Sequence, residues 1–70
     1  MQLAKTRIIM TLGSAFDTRA VPDPRNPRKT VWIMRRDGKE IVGEEGRRFY
    51  NTARGARMAL KDHIERQARA

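Results

Sequence analysis

Seventy residues carry 16 Lys plus Arg against 8 Asp plus Glu, a formal charge of +8, with no Cys. A chain this short forms one domain, residues 1–70, burying only about 60% of the surface its unfolded form exposes; disulfides and thiolate zinc sites are excluded. With no secretory signal and no apolar run near the ~20 residues that span a bilayer, the expectation is a soluble cytoplasmic protein with no membrane partner.

The charge is spread along the chain rather than gathered in a tail, and Arg greatly outnumbers Lys. Arg suits bidentate phosphate contacts and stacking on bases, so polyanionic partners are favoured. Nucleic acid and an acidic protein surface both fit this charge, as does a basic surface that serves only solubility.

Residues 1–12 alternate, with Thr6, Ile8, Met10 and Leu12 on one side, and read as a strand. Gly13-Ser14 signals a turn, and residues 15–21 run back as a second strand or as a loop anchored by Phe16. Residues 22–29 hold all three prolines and read as an extended loop. Its Arg25, Arg28 and Lys29 are either phosphate-following cations or solvated charges.

Residues 30–36, TVWIMRR, make the best strand in the chain. Asp37-Gly38 and the extended run 39–42 follow, and a DG pair between two strands is a strong hairpin signal, because a type I′ turn needs positive φ at both central residues. Trp32, Met34 and Arg36 then share one face, while Val31, Ile33 and Arg35 share the other. One of these faces takes the helix and the other is open to bind or pair. Gly43 to Gly46 reads as a second turn, and residues 47–50 as a short third strand.

The C-terminal stretch is the one convincing helix, residues 52–67, with Asn51 or Thr52 as its cap. Ala56, Ala59, Leu60, His63, Ile64 and Gln67 fall on one face, and Arg54, Arg57 and Lys61 on another. Asp62 with Arg66 and Lys61 with Glu65 are i, i+4 pairs worth about 0.2 to 0.5 kcal/mol each.

One His, one Ser and no Cys leave no nucleophile–base set to argue for, so no catalytic residue is assigned. His63 reads as a packed side chain, and Asp62 and Glu65 lie on other helix faces, so neither a metal site nor a cofactor is expected. The glycines match neither the phosphate-binding loop nor the dinucleotide fingerprint. Trp32 and Phe49 are needed in so small a core, which leaves Tyr50 as the exposed aromatic for stacking.

From residue 30 onward the order W, R-R-D-G-K, a turn, R-R-F-Y-N-T-A and an Ala-rich helix resembles the N-terminal arm-binding domain of phage-type tyrosine integrases. That resemblance implies a three-stranded sheet on one helix, with the sheet entering the major groove of DNA. It places Trp32 and Ile33 on the first strand, Arg35, Arg36 and Lys39 at the DNA, and Phe49 and Ala56 in the core.

The expected fold is α+β, a small antiparallel sheet of three or four strands covered by one C-terminal helix. The expected function is non-enzymatic nucleic-acid binding, most simply of DNA. The candidate contacts are Arg35, Arg36, Lys39, Arg47, Arg48 and Tyr50 on the sheet side, with Arg54, Arg57 and Lys61 on the helix. The alternative is a small phage-type interaction module that binds an acidic or nucleic-acid-like surface of a partner protein. A homodimer that completes the core is compatible with either.

Overall fold

A computed structural model describes residues 8–69. Four strands, β1 (Ile9–Thr11), β2 (Ser14–Asp23), β3 (Asn26–Arg36) and β4 (Lys39–Ile41), form an antiparallel meander in the order β1-β2-β3-β4. A single helix, α1 (Ala53–Arg69), covers one face of β2 and β3. The domain is therefore α+β, as the pattern of periods implies.

Tight turns set the register. Asp37 and Gly38 take φ of 53° and 82°, the positive pair that a two-residue hairpin needs to match strand twist. Asp37 also ties this turn to the start of β2: its N–H donates to the Ala15 carbonyl at 2.7 Å, and its Oδ1 accepts from the Ala15 N–H at 2.9 Å. The β1–β2 turn is made by Leu12 and Gly13, with φ of 51° and 73°, one residue earlier than Gly13-Ser14. Ser14 instead opens β2 opposite Thr11, and Leu12 leaves the strand for the turn. The part of the expected first strand before residue 8, including Thr6, lies outside the described residues.

Residues 22–29 are not a loop. Pro22 sits in β2 opposite Thr30, Pro27 sits in β3, and only Pro24-Arg25 turns the chain between Asp23 and Asn26. Proline is tolerated here because the register shifts at Pro22/Asp23, and because β4 pairs with β3 only from Met34 onward, leaving the outer edge at Pro27 without a described strand. Asx contacts support the turn: Asp23 Oδ1 accepts from the Arg25 N–H at 2.9 Å, and Asn26 Oδ1 from the Arg28 N–H at 3.3 Å.

The strand expected at residues 47–50 reduces to one bridge. Trp32 and Tyr50 exchange backbone hydrogen bonds of 2.8 and 2.9 Å, while Glu44–Gly46 forms a 3₁₀ turn before them. Tyr50 thereby joins the helix-facing side of the sheet and is 6% exposed, in the core with Phe16, Met34, Ala56 and Leu60. This corrects its expected place on the surface, and it corrects Phe49 as well, which alternates outward, stays half-buried and lies outside that cluster. Trp32, Ile41, Ala59 and Ile64 pack around the cluster.

The helix starts and ends within two residues of its predicted bounds. Thr52 caps it, its Oγ1 accepting from the Gly55 N–H at 3.0 Å. On the sheet face away from α1, Asp17, Val31, Ile33 and Arg35 alternate with the core side chains, and Val31 is only 3% exposed. That face is less open than the sequence pattern suggested.

Candidate nucleic-acid interface

Ion-pair geometry divides the candidate cations into two groups. Arg35 lies directly across from Asp17 in the β2–β3 ladder, with Nε donating to Oδ1 at 2.9 Å and Nη2 donating to Oδ2. This bidentate contact raises the Arg35 pKa above its ordinary value. Arg36 donates from Nε to Ser14 Oγ at 2.9 Å and lies over the Phe16 ring at 5.3 Å. Arg48 grips Glu40 with bonds of 2.8 and 3.1 Å, holding that carboxyl below its usual range, and stacks over Phe49. Arg47 lies 4.6 Å over the Tyr50 ring and donates to the Phe49 carbonyl. Four of the expected contacts are thus engaged with neighbouring groups, Arg35 and Arg48 with carboxylates and Arg36 and Arg47 with neutral acceptors.

Lys39, Arg54, Arg57 and Lys61 are exposed, and none makes a salt bridge among the described residues. At 100° per residue, Arg54, Arg57 and Lys61 fall within about 60° of one another on the outer side of α1. Arg66 is engaged with both Glu44 and Asp62, the latter at 3.0 Å, which realises one of the two i, i+4 pairs; Lys61 and Glu65 form no bridge.

A further set of cations lies on the β2–β3 hairpin. β1 pairs with β2 at residues 14–16, and β4 with β3 at residues 34–36, so among the described residues the sheet past the Trp32–Tyr50 bridge consists of two strands. Helix cover ends at the same level: Thr18 and Met34 are buried, whereas Ala20, Pro22 and residues 24–30 are exposed. From Ala20 to Asp23 the ribbon extends about 10 Å at strand rise. Arg19, Arg25, Arg28 and Lys29 stand exposed on this arm, and Asp23 is its sole carboxylate. Arg19 was not singled out in the sequence; its signal is the polar position it takes opposite Ile33 once the register is known.

Helix and arm are spatially related. Tyr50, three residues before α1, bridges Trp32 at the root of the arm, while His63 meets Phe16 edge-on at 6.3 Å toward the other end of β2. The N-terminal turns of α1, with Arg54 and Arg57, therefore lie beside the root of the arm.

A groove of about 540 Å³ opens on the opposite flank of α1, lined among others by Gly43, Glu44, Tyr50, Asp62, His63 and Arg66. Its charges are largely matched by the Arg66 bridges, and His63 is held against Phe16. Among the described residues no three His, Asp or Glu side chains converge as metal ligands, and no helix is long and apolar enough to cross a membrane. No protein-family model, curated protein or solved structure matches the chain.

Proposed function

We propose that this domain is a non-enzymatic nucleic-acid-binding module whose contacts come from the β2–β3 arm and the outer side of α1. The observation that carries the proposal is the set of cations left without a carboxylate: Arg35 and Arg48 are paired with Asp17 and Glu40 and Arg36 bonds Ser14, while Lys39 and the cations on the arm and on the outer side of α1 face solvent unpaired among the described residues. Arg54 strengthens the case. It lies in the first turn of a helix that has no acidic residue there, where a positive charge opposes the macrodipole. A residue that disfavours its own helix end suits an external anion. The resemblance to integrase arm-binding domains points to the same class of partner, with Lys39 as the cation of the hairpin left unpaired.

Fluorescence anisotropy with single-stranded and duplex DNA and RNA, titrated at several salt concentrations, tests the proposal. Saturable binding is expected, with log K falling by about 0.9 per duplex phosphate contacted per decade of salt. Replacing Arg54, Arg57 and Lys61 by Ala should reduce that slope by about 2 to 3. No binding even at about 50 mM salt would refute the proposal, and an acidic protein partner would then be sought by pull-down.

A further inference from the structure

We infer that Trp32 is a base-stacking platform and that the nucleic acid this domain takes is single-stranded. The inference rests on the nucleic-acid reading and narrows it to one partner class. Tyr50, the aromatic expected to stack, lies in the core at 6% exposure, whereas Trp32 beside it is only partly buried. What stays open on Trp32 is its indole. The backbone N–H and carbonyl of Trp32 both bond Tyr50, and its other edge pairs with Ala20, so the main chain is covered from both sides. Because those bonds go to Tyr50, Trp32 and Ala20 form a non-hydrogen-bonded pair, in which facing side chains stand closest, yet Ala20 offers only a methyl group. Ala20, Pro22 and Thr30, on the same face of the ladder as the indole, are themselves exposed. The ring thus rests on the core cluster by its inner part and meets solvent by its outer part.

Cations border this opening. Tyr50 leads through the Thr52 cap into α1, whose first turns carry Arg54 and Arg57, both exposed and without a carboxylate partner among the described residues. An aromatic ring beside such guanidinium groups can hold a strand by its phosphates and a base by its face. Only an unpaired strand offers that face. In a duplex each base is stacked between its neighbours, and a ring half seated in a core does not project far enough to wedge between them. Unpaired bases, by contrast, splay out onto aromatic side chains, and every base has a face to stack, so little sequence preference is expected.

The test uses the full chain with unpaired DNA and RNA oligonucleotides and with the same strands annealed to their complements. Trp32 is the one tryptophan of the chain, so quenching of its fluorescence reads the contact directly. Expected are saturable quenching by single strands, little by duplexes, and single-strand binding that persists at about 200 mM salt where duplex binding is lost, because stacking releases no counterions. Ala20→Ile covers the open side of the indole from across the ladder and leaves Trp32 in place; it should weaken single-strand binding about tenfold, suppress the quenching and leave the thermal midpoint no lower. Trp32→Leu should lose about as much affinity, and Trp32→Phe should retain most of it. Where Trp32→Leu fails to fold, the quenching and Ala20→Ile decide. Single-strand binding without quenching, quenching by duplexes as strong as by single strands, or wild-type single-strand affinity in Ala20→Ile would overturn the inference while leaving the proposed function standing. Absence of binding to any nucleic acid would overturn both.

Discussion

Arg35→Ala separates a structural arginine from a binding one. The guanidinium makes two charge-assisted bonds to Asp17 across the β2–β3 ladder, and the two side chains are 22% and 12% exposed. Each such bond contributes about 1.5 to 3 kcal/mol when well shielded, and removing one partner strands the other charge. Partial exposure discounts the pair, leaving a loss of about 2 kcal/mol. For a domain of this length that is a fall in Tm of about 8 to 16 °C. Thermal and urea denaturation of Arg35→Ala, Asp17→Ala and the double variant read it directly. The double variant should lose less than the sum of the singles, by about 1 to 2 kcal/mol, because it leaves no stranded charge. The slope of nucleic-acid affinity against salt should stay as in the wild type. A variant with unchanged Tm and a slope reduced by about 0.9 would show instead that Arg35 contacts phosphate, and the reasoning from pairing would fail.

Gly43→Ala should destabilise the domain by about 1 to 3 kcal/mol, since an added Cβ runs into the Tyr50 hydroxyl and comes within 3.1 Å of Met34 Cε; urea denaturation checks it, and a neutral result would mean that the Tyr50 ring shifts freely. Thr52→Ala should cost about 1 kcal/mol by the same measurement, through loss of the hydrogen bond to the Gly55 N–H. Acid should weaken the fold through two carboxyls. Asp37 is held below its ordinary pKa first by the Ala15 backbone N–H and then by the Ser14 hydroxyl, and Glu40 by Arg48. Both folded values lie below the unfolded ones, so their stabilisation is full above the unfolded carboxylate range of about pH 4 and is lost as pH falls through the folded values. Asp37→Asn keeps a residue that tolerates positive φ and should flatten the decline in the urea midpoint below about pH 4; an unchanged decline would remove Asp37 from this role.

Local signals carried most of the fold. Asp37-Gly38 announced its hairpin because positive φ at two adjacent positions is a strong local constraint, and α1 announced itself through the spacing of Ala56, Leu60 and Ile64 with Thr52 as cap. The prolines misled, because a single residue type carries no record of its neighbours. Pro22 and Pro27 are barred from a ladder only where their missing N–H would be needed, and the end of a hairpin beyond the flanking strands does not need it. Tyr50 misled in the same way. Its burial follows from a bridge to Trp32, eighteen positions earlier, which no local pattern encodes.

Lys39, Arg54, Arg57 and Lys61 were legible as exposed cations, but the pairing of the others was not. Twice as many cations as carboxylates leave a net positive charge, but which cations stay unpaired depends on where the eight carboxylates fall in three dimensions. Asp17 faces Arg35 and Glu40 faces Arg48, so two of the arginines at the β3–β4 end of the sheet are neutralised in pairs that the linear order does not display. The arm keeps its charge because its one acid, Asp23, is turned to the backbone N–H of Arg25 and pairs with no arginine side chain among the described residues. Field and geometry therefore coincide at one place. The part of the sheet that is two strands wide among the described residues carries exposed, unpaired cations, and it stands beside a helix end that presents Arg54 and Arg57. On the proposed nucleic-acid reading, replacing the arm's Arg25, Arg28 and Lys29 by Ala should therefore lower the salt dependence of binding more than replacing Lys39 of the Asp37-Gly38 hairpin, and anisotropy at several salt concentrations checks it.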